Sequence, residues 1–119
     1  MGLDGTILLS RWDLERVEQG LRYINEYYQR PISADHLSLE INLSKVKLQE
    51  GFRRKTGHTL HIYVLKVRTE KAKLLLADPV HPLKAIAHLT GFKSSSHLIR
   101  TFKRFHSLTP SQYRLSSAV

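Results

Sequence analysis

Apolar side chains recur at steps of three and four residues through most of the chain, the spacing that places them on one face of an α-helix. The first of these stripes predicts a helix and consists of Leu14, Val17, Leu21, Ile24 and Tyr28. Ser10 and Asp13 have the spacing of a capping box at the start of this helix. Pro31 is predicted to end it, because proline cannot continue the helical hydrogen bonding.

Capping residues divide the rest of the chain into further helices. Ser33 and Ser44 are predicted to cap a second and a third helix, and the third ends before Gly57. The longest helix is predicted over 59–77, and two prolines within "DPVHP" end it. A short helix over 83–89, a turn, a basic helix and a last helix follow. No strand-like alternation persists, so the predicted fold class is all-α.

Two stretches of the chain, 37–63 and 86–113, resemble each other. The residues of the first stretch match residues 49 or 50 positions later, the offset changing by one after the turn. The matched pairs are Leu37 and Ile86, Asn42 and Gly91, Leu48 and Leu98, Phe52 and Phe102, Thr59 and Thr109, and Tyr63 and Tyr113. A permissive turn residue followed by an apolar helix underside is what a helix-turn-helix requires. The alternative interpretation is a duplicated hairpin that serves only packing.

The positive charge is concentrated in the later part of the chain. Residues 1–40 hold four arginines and seven acidic residues, a net charge of −3, and residues 41–119 hold fifteen basic and three acidic residues, a net charge of +12. Such a concentration indicates a polyanionic partner. We expect the acidic first helix to be turned away from phosphates. The chain has no cysteine, which excludes disulfides and a cysteine-based zinc site.

The outward faces of the two repeated helices are basic. In the second repeat, the polar arc contains Ser96, Arg100, Lys103 and Arg104, with His97 at its edge. In the first repeat, Lys45, Gln49 and Arg53 recur every four residues. A helix of this kind enters the DNA major groove by its N-terminal part, where side chains reach the base edges. We therefore predict two DNA-recognition helices.

The helix between the repeats limits how they bind. About 19 residues at ~1.5 Å per residue give roughly 28 Å, which is close to the ~34 Å between successive major grooves on one DNA face. The repeats differ in their outward residues, so the predicted site is asymmetric.

The chain resembles the DNA-binding domain of the AraC/XylS family of bacterial transcription regulators over roughly residues 13–116. The resemblance rests on "LSKVKLQEGFRRKTGHTLHIYVLKVRTEKAKLLL" and "PLKAIAHLTGFKSSSHLIRTFKRFHSLTPSQYR". It implies a seven-helix bundle of two helix-turn-helix subdomains joined by a long central helix. The expected organisation is a linker or tail over 1–12, a first subdomain over 13–57, a connecting helix over 58–77 and a second subdomain over 78–119.

The resemblance also assigns roles to residues. Base contacts are expected from Val46, Gln49, Glu50, Ser95, Ser96, His97 and Arg100. Phosphate contacts are expected from Ser44, Lys45, Arg53, Lys55, Ser94, Lys103 and Arg104. Arg100 is the strongest base contact among these, since a bidentate arginine–guanine pair is the commonest specific contact. With Val46 and Glu50 offering few donors, the first helix is expected to add affinity more than sequence recognition.

Three residues depart from the family pattern. Asn42 and Ser107 stand where glycine is usual, and Ser107 is expected to close its helix end less sharply. Gly51, inside the third helix, is expected to cost ~1 kcal/mol relative to alanine.

The expected function is sequence-specific binding of double-stranded DNA at promoters, with RNA polymerase as a further partner. A ligand-sensing domain before this one is left open. We expect no catalysis, cofactor, metal or membrane association, and a cytoplasmic location. The alternative function is a basic helical module that docks an acidic protein, and RNA binding is a third possibility that lacks an aromatic stacking platform.

Overall fold

The computed structural model describes residues 6–117, which form seven α-helices and no strand. The helices are α1 (Arg11–Tyr27), α2 (Ala34–Glu40), α3 (Lys45–Thr56), α4 (Leu60–Leu76), α5 (Leu83–Leu89), α6 (Ser95–His106) and α7 (Pro110–Ser117). The predicted all-α class is confirmed. No helix in the described part of the chain is long and apolar enough to cross a membrane.

The helix starts follow the predicted caps. The Ser10 N–H donates to Asp13 Oδ2 at 2.9 Å and the Asp13 N–H donates to Ser10 Oγ at 3.0 Å, which is the predicted capping box. Ser33 Oγ accepts from the His36 N–H at 3.1 Å, and Ser44 Oγ accepts from the Lys47 N–H at 3.3 Å. These caps are confirmed because they depend only on neighbours three residues away.

Two helix bounds differ from the prediction. α1 ends at Tyr27, before Pro31, so the proline follows a short turn rather than ending the helix itself. α4 is one residue shorter than predicted at each end, and its 17 residues equal those of α1, so these two are jointly the longest of the described helices. Its length is therefore about 26 Å at ~1.5 Å per residue.

The described residues pack as two units. Unit 1 contains residues 6–27 and 32–64, and unit 2 contains residues 28–31 and 65–117. The division falls inside α4, between Val64 and Leu65, so one continuous helix belongs partly to each unit.

In unit 1, the underside of α3 packs against α1. Leu48 and Phe52 are fully buried, as are Val17 and Ile24 of α1. Gly51 is buried on the same side, and a Cβ added to it would lie 2.3 Å from Val17 Cγ2. The expected propensity cost of glycine is therefore opposed by packing, because glycine permits the close approach of α3 to α1.

In unit 2, α6 packs through Leu98 and Phe102, both fully buried, onto a core that includes Ile86 and Leu76. Two arginines bind backbone carbonyls around this core. Arg68 of α4 donates from Nε to Tyr28 O at 2.7 Å and from Nη2 to Arg30 O at 3.0 Å. Arg114 donates to Leu76 O at 3.2 Å and to His81 O at 2.6 Å, which fixes the segment after α4.

The internal repeat is visible in the backbone conformation. Asn42 and Gly91 both adopt the left-handed conformation, with φ of 53° and 89°. Gly57 and Ser107 do so at the ends of α3 and α6, with φ of 76° and 63°. Their N–H groups close the helices on Arg53 O at 2.9 Å and Lys103 O at 2.8 Å. Ser107 therefore closes its helix as completely as Gly57, contrary to the expectation above.

Candidate nucleic-acid interface

The outward face of α6 is basic, while its inward face lies in the core of unit 2. Arg100, Lys103 and Arg104 are exposed, while Leu98 and Phe102 on the opposite side are fully buried. Within the described part of the chain, no carboxylate forms an ion pair with any of these three cations. The helix therefore presents three positive charges that are available to an external anion.

Serines surround the start of α6. Ser94 Oγ accepts from the His97 N–H at 3.1 Å, which caps the helix and leaves the hydroxyl hydrogen available to a phosphate oxygen. Ser96 is exposed and Ser95 is half-buried. The half-buried His97 ring packs edge-on against Phe92, with ring centroids 5.2 Å apart. The proposed base-contacting residues Ser95, Ser96, His97 and Arg100 thus all lie in the first half of this helix.

The first half of α3 contains the corresponding side chains of unit 1. Val46 is 59% exposed, and Gln49 is exposed as well. Gln49 Oε1 accepts a long hydrogen bond from the Leu60 N–H at 3.4 Å. Because this bond uses only the amide oxygen, the N–H₂ group of Gln49 remains available as a donor.

Glu50 of α3 pairs with two arginines of its own helix. Its carboxylate contacts Arg53 Nη2 and lies 3.0 Å from Arg54 Nε, and the side chain is only 13% exposed. The hydrogen bonds from Arg53 and then Arg54 lower the pKa of Glu50 below 4.5. Glu50, predicted to contact a base, thus already has two partners, and its contact with cytosine stays a prediction.

The other cations of α3 pair with acidic residues of α1 and α2. Lys45 Nζ lies 2.7 Å from Asp35 Oδ1, Lys47 Nζ lies 3.1 Å from Asp13 Oδ2, and Lys55 Nζ lies 2.7 Å from Glu18 Oε1. The hydrogen bond from the Ser10 N–H, followed by that from Lys47, lowers the pKa of Asp13. Asp13 and Glu18 of α1 thus hold cations of α3, and the expectation that the acidic first helix is turned away from phosphates stays a prediction.

Sequence reasoning assigned no role to Lys47 or Arg54. Arg54 lies four residues after Glu50, a helical spacing at which an ion pair is expected, so the sequence contained a signal for it. Lys47 and Asp13 are 34 positions apart, and only the packing of α3 on α1 brings them together. In residues 6–117, no group of three or more His, Asp or Glu side chains could hold a metal ion.

Comparison with known proteins agrees with this arrangement. Residues 37–116 match a family described as "Helix-turn-helix domain". The multiple antibiotic resistance protein MarA of Escherichia coli K12 is 30% identical over 97 residues, which cover 82% of this chain and 76% of MarA. The chain belongs to the AraC-type helix-turn-helix family. The predicted family is confirmed.

Two further relatives define the extent of the likeness. The probable transcriptional regulator LumQ of Photobacterium leiognathi is 33% identical over 110 residues, which cover 91% of this chain but 44% of LumQ. A Chromobacterium violaceum transcriptional regulator, described as AraC-type and DNA-binding, has a TM-score of 0.82, with 87% of this chain and 93% of that one covered. At 22% identity, this second likeness establishes the fold alone.

Proposed function

We propose that the protein binds double-stranded DNA sequence-specifically and regulates transcription at promoters, with α3 and α6 as its two recognition helices. The observation on which this rests is α6, whose buried Leu98 and Phe102 hold an outward face of three cations, unpaired within residues 6–117, after a serine-capped start. AraC-type membership and the regulatory role named for LumQ support it.

The two helices are assigned to successive major grooves of one asymmetric site. The helix-turn-helix occurs twice in one chain with unlike outward residues, and α4 links the two units as one continuous helix. A dimer of identical helices favours a palindrome, whereas two unlike helices in one chain favour an asymmetric target.

Within α6, we assign side chains to base edges or to phosphates by their position along the helix. Arg100 and Ser96 lie near the start of the helix and are assigned to base edges, with Ser95 and His97 beside them. Lys103 and Arg104 lie one turn later and are assigned to phosphates, as is the Ser94 hydroxyl. In unit 1, Val46, Gln49 and Glu50 are assigned to bases. Phosphate contacts there are assigned to Ser44, Lys45, Arg53 and Lys55.

The test is selection of bound duplexes from a random pool at fixed salt, repeated with Arg100→Ala and Lys103→Ala. We expect an asymmetric motif whose preference at one base pair falls by about 5- to 150-fold in Arg100→Ala, since a bidentate pair discriminates by about 1–3 kcal/mol. Lys103→Ala should weaken all duplexes alike. If no motif is enriched, base recognition is refuted and the alternative of docking an acidic protein is favoured.

Further partners follow from the family alone. RNA polymerase and a ligand-sensing domain are proposed on that basis, and a cytoplasmic location follows from the DNA partner. LumQ extends beyond the shared region, since the match covers 44% of its length.

A further inference from the structure

The net charge of the protein resides in unit 2. Among the described residues, unit 1 holds eight basic and seven acidic residues, a net charge of +1, whereas unit 2 holds eleven basic and two acidic residues, a net charge of +9. The two units together carry +10, and Asp4, which lies outside the described residues, lowers the net charge of the whole chain to +9. Unit 2 therefore attracts a polyanion far more strongly than unit 1 does.

The difference continues at the level of single side chains. The sequence offset of 50 between the repeats places Glu50 opposite Arg100, Arg53 opposite Lys103, and Arg54 opposite Arg104. In α3, the Glu50 carboxylate holds both arginines that follow it, whereas in α6 an arginine stands at the equivalent position. One acid-to-base difference thus separates two cations held by a carboxylate in α3 from two in α6 that have no ion pair in the part of the chain that the structure describes.

All five cations of α3 are ion-paired within unit 1, through the contacts of Lys45, Lys47, Arg53, Arg54 and Lys55 described above. If Arg54 moved to a phosphate, Glu50 at 13% exposure would lose part of its compensating charge, which is costly. The Lys45–Asp35 pair is easily opened, with side chains 60% and 79% exposed. If Lys45 moved to a phosphate, however, the freed Asp35 carboxylate would attract a cation from solution. This uptake would offset the counterion released from DNA, so the contact would add little to the salt dependence of binding.

We propose that unit 2 makes most of the phosphate contacts with DNA, and that the acidic residues paired with α3 restrict the phosphate contacts of unit 1. This inference rests on the proposed function and adds a division of labour to it. Unit 2 determines the strength and salt dependence of binding. Glu50, in addition to its assigned base contact, and Asp35 set how much affinity unit 1 adds, because they hold cations of α3.

The test measures binding of the whole chain to a fluorescent mixed-sequence duplex of about 30 base pairs, by anisotropy between about 50 and 200 mM salt. Arg54→Gln and Arg104→Gln form a matched pair at equivalent positions. We expect Arg104→Gln to flatten the slope of log affinity against log salt by about 0.9, or roughly 3.5-fold in affinity across this range. Arg54→Gln should flatten it by less than half as much.

The reverse change tests the acidic residues. Glu50→Gln should steepen the slope and strengthen binding, because it releases Arg53 and Arg54. Asp35→Asn, at a more exposed position, should act in the same direction through Lys45 and serves if Glu50→Gln unfolds the protein by circular dichroism. The control is Glu26→Gln, which removes an exposed acidic residue of α1 with no ion pair among the described residues.

Equal flattening by Arg54→Gln and Arg104→Gln would overturn the inference. So would a response to both Glu50→Gln and Asp35→Asn no larger than the response to Glu26→Gln. In either case, the unaltered chain would still bind DNA and the proposed function would stand. Absence of binding by the unaltered chain at low salt would instead refute the proposed function itself.

Discussion

Replacement of Gly51 by alanine tests whether glycine is required where α3 crosses α1. Alanine gains ~1 kcal/mol of helix propensity over glycine. The added Cβ, however, would lie 2.3 Å from Val17 Cγ2, far inside the ~3.5–4.0 Å at which carbon atoms attract. Val17 is fully buried and has little room to retreat. Overpacking of this kind costs typically about 1–3 kcal/mol and sometimes more.

Because the overlap is severe, we expect the upper part of that range and a net loss of about 2 kcal/mol in the free energy of unfolding of Gly51→Ala. Urea denaturation followed by far-ultraviolet circular dichroism measures it. The double variant Val17→Ala/Gly51→Ala is the control, since it removes both γ-carbons of Val17 and leaves the Cβ of residue 17 at 3.5 Å from the new Cβ. Its destabilisation should be about 3 kcal/mol smaller than the sum of the single variants, because the clash is removed while the ~1 kcal/mol gain in helix propensity is kept.

Two outcomes would refute this reasoning. If Gly51→Ala is as stable as the unaltered protein or more so, helix propensity outweighs packing at this site. If the two single effects simply add, the contact with Val17 is not the cause of the loss, and another neighbour of α3 must be.

Two further predictions concern unit 2. Ser107→Gly should raise the free energy of unfolding by about 1 kcal/mol. An L-residue at a φ of 63° costs about 1–2 kcal/mol, and the higher conformational entropy of glycine in the unfolded chain offsets part of the gain. No gain in urea denaturation would show that Ser107 is unstrained. Burial, followed by the charge of Lys73, lowers the pKa of His106 below 6.5, and the Glu70 carboxylate opposes this shift. As pH falls through 6.5, His106 therefore binds a proton more readily in the unfolded chain than in the folded one. Stability should therefore decline from pH 6.5 downward and decline less in His106→Gln, while an NMR titration midpoint of His106 at or above 6.5 would contradict the sign.

The sequence predicted what depends on neighbours along the chain. The caps at Ser10, Ser33 and Ser44 each involve a residue three positions away, and all form as expected. The seven helices likewise follow from local periodicity. The repeat located the left-handed turns at Asn42 and Gly91 because backbone conformation restricts residue type there.

What the sequence did not predict depends on contacts between distant segments. The pairing of Lys47 with Asp13 and of Lys55 with Glu18 requires the helix crossing that brings α3 against α1. The need for glycine at position 51 has the same origin, since Val17 lies 34 residues earlier. The roles assigned to the individual base- and phosphate-contacting residues stay predictions.

The two turns show how equal backbone conformations accept different residues. Asn42 and Gly91 occupy equivalent positions with positive φ, which asparagine tolerates better than most residues. The Asn42 side chain is exposed. A Cβ at Gly91 would lie 2.9 Å from both Tyr28 O and Arg68 Nε, the two atoms that hydrogen-bond to each other beside the turn. Conformation therefore selects a small set of residues at both turns, and the Arg68 contact reduces that set to glycine in unit 2.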